Sequence, residues 1–144
     1  MTMTRKTWCV AALLAALPAA LCAAPKPKTI RLFNKKNLDG FYTFLRSSGR
    51  EDPQGVFRVQ NGVIQVSGVE YGYFITNQEY ENYRLVVEFK WGTPTHPPRE
   101  GKARDSGILF HVQGPDKVWP HSIEFQMIEG GTGDVILVDG ASLT

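Results

Sequence analysis

The sequence has few of the residues that support thiol or metal–thiolate chemistry. Its only two cysteines, Cys9 and Cys22, lie within the first 24 of 144 residues. It also has no His-Glu-x-x-His spacing and no paired-cysteine spacing of the kinds that bind zinc. A disulfide framework and a cysteine-based redox or zinc module are therefore excluded for the rest of the chain.

Long apolar runs are missing beyond the N-terminus. Residues 8–21 form one apolar run, which follows Arg5 and Lys6 and precedes small residues. This order predicts a signal peptide over residues 1–24. The apolar run has 14 residues, which is shorter than the about 20 that a bilayer-spanning helix needs, so a permanent membrane anchor is disfavoured. Residues 25–29 then form a short extended linker. We expect a periplasmic or secreted protein with no permanent membrane span after cleavage.

An excess of charge of one sign is also missing. The whole chain has 16 basic and 14 acidic residues, and removal of Arg5 and Lys6 with the signal peptide leaves 14 of each. Nucleic-acid binding requires a basic stripe or patch, so no nucleic-acid partner is expected.

Helical periodicity is absent after the linker, and short alternating runs between turn residues replace it. The clearest run is VFRVQNGVIQVSG, in which Asn61-Gly62 is a two-residue hairpin signal. Many strands without helices predict an all-β sandwich or barrel. The predicted strands are residues 30–33, 41–45, 56–60, 63–67, 72–76, 83–91, 107–113, 122–128 and 134–138.

Two further features concern the connections and the last residues. The loop at residues 92–105 is long for a hairpin connection and contains three prolines with Arg99, Lys102 and Arg104, which suits either a functional loop or a stiffened solvated one. The sequence stops soon after the strand at residues 134–138. We therefore expect a C-terminally incomplete sandwich with an unpaired edge.

Side chains alternate between the two sides of a strand, and in three predicted strands this alternation gives one apolar face and one face that mixes polar and apolar residues. Residues 83–91, 107–113 and 122–128 each place apolar side chains on alternate positions. We expect the apolar faces to form the core and the mixed faces to share one side of a sheet, as surface or as the floor of a groove. The mixed-face residues are Glu88, Lys90, Leu109, His111, Gln113, Glu124, Gln126 and Ile128.

Five stretches follow one another along the chain, LFNKKNLDGFYTF, GVIQVSG, GYFITNQEYENYRLVVEFKW, ARDSGILFHV and SIEFQMIEGGTGD. By these stretches, from residue 30 to residue 144, the chain resembles the bacterial 3-keto-disaccharide hydrolase domain family, which has them in the same order. The resemblance implies a concanavalin-like jelly-roll β-sandwich. The chain departs from the usual pattern at Lys35, Phe41, Asp105 and His111, and it lacks the family's C-terminal strands.

The resemblance also implies a hydrolase that cleaves glycosidic bonds of 3-keto-glucosides or 3-keto-disaccharides. A base removes the proton at C2, the C1 substituent is eliminated, and water adds to the product. A divalent metal of unknown identity could act as the Lewis acid. On this chain the implied catalytic residues are Glu124 and His111, and the implied substrate-binding residues are Gln126, Lys90, Arg104, Asp105 and Trp119.

Two other functions suit the same residues. A non-catalytic carbohydrate-binding module would use Trp119 for stacking and would not need the Glu124 carboxylate. A glycosidase with two carboxylates would use Glu88 and Glu124.

Overall fold

The computed structural model describes residues 28–143, and within this range it contains seven β-strands and no helix. All strand pairs are antiparallel and form three small sheets, β1-β4, β2-β3 and β5-β6-β7. This all-β architecture was predicted and is confirmed, and its antiparallel sheets are consistent with a jelly-roll sandwich. The strands are β1 (Phe41–Leu45), β2 (Phe57–Gln60), β3 (Val63–Val66), β4 (Gly72–Thr76), β5 (Asp105–Gln113), β6 (His121–Ile128) and β7 (Val135–Val138).

The β2-β3 hairpin forms where the sequence predicts it. Asn61 and Gly62 connect the strands with φ of 53° and 72°. A two-residue turn of this hand needs positive φ at both positions, which asparagine and glycine adopt most readily. Local turn chemistry therefore sets the register of this hairpin.

The three-stranded sheet brings the predicted faces of β5 and β6 together. Leu109 lies opposite Glu124, whereas Ile108 lies opposite Phe125. Residues directly opposite each other point to the same side of a sheet, so the predicted alternation holds for this part of β5 and for β6.

A β-bulge ends this alternation after Phe110. The register jumps from Phe110 opposite Ile123 to Gln113 opposite His121, and His111 in the extra position has a φ of 55°. The prediction that Gln113 shares the side of Leu109 is therefore wrong. An inserted residue shifts every later side chain by one position.

The predicted strand at residues 83–91 does not form a ladder with any described strand, and residues 30–33 are not a strand either. The two ends of this segment nevertheless lie near the two ends of β5. The Tyr83 ring lies 6.4 Å from the His111 ring, and Arg104 donates hydrogen bonds to the carbonyls of Gly92 and Thr93. An alternating sequence predicts which faces a strand has, but not whether a hydrogen-bonding partner lies next to it.

The most buried cluster lies in the first half of the described chain. Leu45, Val56 and Phe57 are fully or almost fully buried, and Leu38 and Phe74 pack against them. The Phe74 ring meets the Phe57 ring edge-on at 5.5 Å. This cluster joins the β1-β4 and β2-β3 sheets.

The apolar face of the three-stranded sheet is only partly covered within residues 28–143. Met127 is buried, but Phe125, Val135 and Leu137 on the same side are 39%, 56% and 45% exposed. The prediction that this face is sealed in a core is therefore wrong for the described residues.

The predicted signal peptide and most of the predicted linker lie outside the described residues. Cleavage and export therefore stay predictions. Over residues 28–143 no helix has the length and apolar character needed to cross a membrane.

We predict that Leu45→Ala lowers the free energy of unfolding by about 2–5 kcal/mol, because Leu45 is fully buried and its truncation opens a cavity within this cluster. Urea denaturation measures this change. The control Val63→Ala, at a residue 57% exposed, should change stability by less than about 0.5 kcal/mol. Equal effects of the two substitutions would contradict the position of the core.

Candidate functional site

Three polar side chains lie together on one face of the β5-β6 pair. Asp105 begins β5, and Glu124 and Gln126 lie on β6 with their side chains on the same side of the sheet. The amide Nε2 of Gln126 donates a hydrogen bond of 2.6 Å to Oδ1 of Asp105. The structure thus brings together three of the seven residues predicted for the site.

Glu124 is half-buried, as Gln126 is, whereas Asp105 is exposed. Burial raises the pKa of the Glu124 carboxyl group, and the negative charge of Asp105 raises it further. A carboxyl group with a raised pKa binds a proton more strongly than an exposed one, which suits a general base or acid. The Glu124 side chain lies over Gly107, the residue opposite Gln126.

Arg99 brings a positive charge from the long loop to the same group. Its Nη2 lies 3.4 Å from Oδ2 of Asp105 and donates a 2.8 Å hydrogen bond to the carbonyl of Ala103. Its Nε is buried and has no hydrogen-bond partner among residues 28–143. The sequence marks Arg99 only as one cation of the long loop, because no motif indicates a contact between a loop arginine and Asp105.

Arg104 has a different environment from the one predicted for a substrate-binding residue. Its Nη2 and Nε lie 2.5 Å and 3.1 Å from the carboxylate oxygens of Glu129. The same guanidinium group donates to the carbonyls of Gly92 and Thr93. Within the described chain, Arg104 therefore connects the two ends of the loop at residues 92–105.

The structure places His111 beside other groups than Glu124. The exposed imidazole lies 5.6 Å from the Phe110 ring. It lines a cleft of about 200 Å³ together with Gln113, His121 and Ser122. The bulge lies about 7 Å further along β5 than the residue opposite Glu124. The described contacts do not pair His111 with Glu124.

The described contacts of Lys90 and Trp119 do not include Asp105, Glu124 or Gln126. Lys90 is exposed within the unpaired segment at residues 83–91. Trp119 is 52% exposed in the β5-β6 loop, with its ring centre 5.5 Å from that of Tyr71. The guanidinium of Arg46 lies 4.5 Å from the Tyr71 ring centre and 5.3 Å from that of Trp119. This second group is an exposed aromatic surface with one cation.

Asp116 anchors the loop that carries Trp119. The hydroxyl groups of Tyr42 and Tyr73 donate to its Oδ1 at 2.8 and 2.7 Å, and Arg50 donates to its Oδ2 at 2.9 and 2.7 Å. Burial alone would raise the pKa of Asp116, but the hydrogen bonds from Tyr73, Arg50 and Tyr42 lower it overall. Sequence reasoning missed this group because its members are far apart in the chain.

No group of three or more histidine, cysteine, aspartate or glutamate side chains in the described part of the chain is arranged to hold a metal ion. Both oxygens of Asp105 already face Gln126 or Arg99. No step is therefore derived through a metal, and the divalent ion stays a prediction.

The chain is thus an all-β domain that groups ionisable side chains on one face of a sheet. A family model described as the 3-keto-alpha-glucoside-1,2-lyase-like domain matches residues 28–142. The chain belongs to this family, and the predicted resemblance is confirmed. The family supports a carbohydrate-related, hydrolase-like function. No curated protein and no solved structure gave a match.

We predict that Glu124→Gln stabilises the protein increasingly as the pH rises. The folded-state pKa of Glu124 is raised, so between the unfolded pKa of about 4.3 and the folded pKa the folded state binds more protons, and wild-type stability falls through this window. Glutamine has no charge to desolvate, and it escapes this loss.

Urea denaturation at a series of pH values measures the effect. The difference in unfolding free energy between Glu124→Gln and wild type should grow above about pH 4 and then level off. Glu79→Gln, at an exposed position after β4, controls for the loss of a carboxyl group. A difference that stays flat or shrinks with rising pH would contradict the environment assigned to Glu124.

Proposed function

We propose that this protein cleaves the glycosidic bond of 3-keto-glucosides by elimination at C1–C2 followed by hydration. The observation that supports the proposal best is the half-buried Glu124 carboxyl group, with its raised pKa, beside Asp105 on one sheet face. The family match supports the sugar class.

Proton abstraction is the first requirement. The ketone at C3 acidifies the hydrogen on C2, and the Glu124 carboxylate removes it, so that the electron pair of the C–H bond moves toward the ketone oxygen. Burial strengthens Glu124 as a base relative to an exposed carboxylate, and this favours the transfer. We assign this step to Glu124 without His111, because the described contacts of His111 are with Phe110, Tyr83 and a separate cleft.

Stabilisation of the developing negative charge is the second requirement. Arg99 provides a fixed cation, whose Nη2 lies 3.4 Å from Oδ2 of Asp105, on the sheet face that also carries Glu124. An oriented donor at a developing oxyanion is among the most effective contributions to catalysis. We assign stabilisation of the negative charge on the enolate oxygen to Arg99. We assign orientation of the sugar at the edge of the site to Gln126 and Asp105.

Cleavage of the C1–O bond and hydration of the product complete the reaction. As the enolate collapses, the C1–O bond breaks, a C1=C2 double bond forms, and the leaving oxygen takes up a proton, for which protonated Glu124 is the donor we assign. Water then adds across the double bond, and the net result is hydrolysis. Every proton and electron pair is accounted for without an oxidant or reductant.

We predict that Glu124→Gln lowers kcat by about 10²–10⁴-fold on a 3-keto-glucoside with a chromogenic aglycone. Release of the aglycone measures turnover, and Glu79→Gln is the matched control that should keep wild-type activity. Deuterium uptake at C2 in heavy water should depend on Glu124 as well. Wild-type protein that releases no aglycone, or a Glu124→Gln variant that works normally, would reject the proposed reaction.

Arg99→Met should lower kcat by about 10²–10³-fold with a smaller change in KM, because the charge that Arg99 meets develops in the transition state. Steady-state kinetics on the same substrate measure both constants. The control Lys102→Met removes a neighbouring cation of the same loop, one that is exposed. Equal losses in both variants would assign the effect to general electrostatics and contradict the specific role of Arg99.

A non-catalytic carbohydrate-binding function is the second candidate. The exposed Trp119 ring beside Tyr71 favours it, since such ring faces stack on sugars. It requires sugar affinity that Trp119→Ala abolishes and Glu124→Gln leaves intact. Cleavage of glucosides that lack the 3-keto group would instead point to the glycosidase with Glu88 and Glu124.

A further inference from the structure

We infer that Gly107 is a positioning residue that sets where the Glu124 carboxyl group lies. Gly107 is the third residue of β5, opposite Gln126, and the next pair on the same face is Leu109 with Glu124. Residues 107 and 124 are therefore diagonal neighbours on one side of the sheet, within reach of a long side chain.

The backbone of β5 does not itself require glycine at this position. Gly107 is not among the residues with positive φ, in contrast to ten other glycines of the described chain. Glycine within a strand weakens it and often marks a place where another group approaches closely. At Gly107 the approaching group is the Glu124 side chain.

The space above Gly107 is already occupied. A Cβ atom built on Gly107 would lie 2.6 Å from both Cγ and Cδ of Glu124 and would overlap Oε1. Real Cβ contacts of that length are essentially unknown, so one of the two groups has to move. Because Cγ as well as Cδ is too close, the Glu124 side chain has to change its χ1 rotamer, which is easier than a shift of the strand, and therefore alanine displaces the carboxyl group and leaves the fold in place.

Displacement of the carboxyl group changes its function in two ways. The group loses part of the burial that raises its pKa, and it leaves the point from which it reaches C2 of the sugar. The kinetic part of this inference rests on the proposed function. The position and titration of Glu124 do not depend on that function.

We predict that Gly107→Ala lowers kcat by about 10–100-fold with little change in KM, since a misplacement of about 1 Å at a reacting group has effects of this size. The acidic limb of the pH–rate profile should move to lower pH. Gly92→Ala is the matched control, because Gly92 also has no positive φ and its added Cβ would meet no atom closer than 3.8 Å. The control should keep wild-type kinetics and both variants should keep the wild-type Tm.

A second substitution tests the contact directly. Alanine at position 124 removes Cγ and Cδ, the two carbons that the added methyl group would meet. In the wild-type background Gly107→Ala should lower kcat, whereas in the Glu124→Ala background it should cause no further loss. Equal losses in the two backgrounds would show that residues 107 and 124 are not coupled and would overturn the inference.

Titration of the Glu124 carboxyl carbon by NMR separates this inference from the proposed function. If wild-type protein turns over no 3-keto-glucoside, the proposed reaction fails, but a lower Glu124 pKa in Gly107→Ala than in wild type still supports the positioning role. An unchanged Glu124 titration and chemical shift in Gly107→Ala would reject that role, whether or not the protein is active.

Discussion

The register of β5 against β6 is the constraint on which the candidate site depends. Six consecutive pairs, from Asp105 opposite Ile128 to Phe110 opposite Ile123, fix which side chains share a face. A slip by one residue would turn Glu124 to the opposite side, because side chains alternate along a strand. The same register places Gly107 diagonally beside Glu124 and leaves room for the carboxyl group. Position, burial and charge at Glu124 all follow from this pairing.

The site includes features that do not favour stability. A half-buried carboxyl group near a second carboxylate is unfavourable when ionised, and a glycine within a strand contributes no packing. Neither is needed to form the sheet, since a neutral residue at position 124 would suit a strand better, and so would a residue with a side chain at position 107 once the Glu124 side chain no longer fills that space. Sequences that conflict with local preference often do so where function requires it. The pair formed by Gly107 and Glu124 fits this pattern.

Sequence reasoning predicted the features that depend on local pattern. Alternation identified the faces of β6 and the first part of β5, and Asn61-Gly62 identified the hairpin. It failed where a distant or irregular contact decides the outcome. The bulge at His111 puts a non-glycine residue at positive φ without a recognisable signal, and the contact of Arg99 with Asp105 depends on the path of a long loop. Alternation at residues 83–91 also gave no information about a pairing partner.

The hydrogen bonds to Asp116 have a consequence for how the molecule assembles. The partners Tyr42, Arg50 and Tyr73 are 74, 66 and 43 residues from Asp116 along the chain, and two of them are on a different sheet from β5 and β6. Contacts of such high sequence separation form slowly, because a long chain closure precedes them. We therefore expect the loop with Trp119 to gain its fixed shape only after β1 and β4 have paired, which would make the aromatic surface a late product of folding.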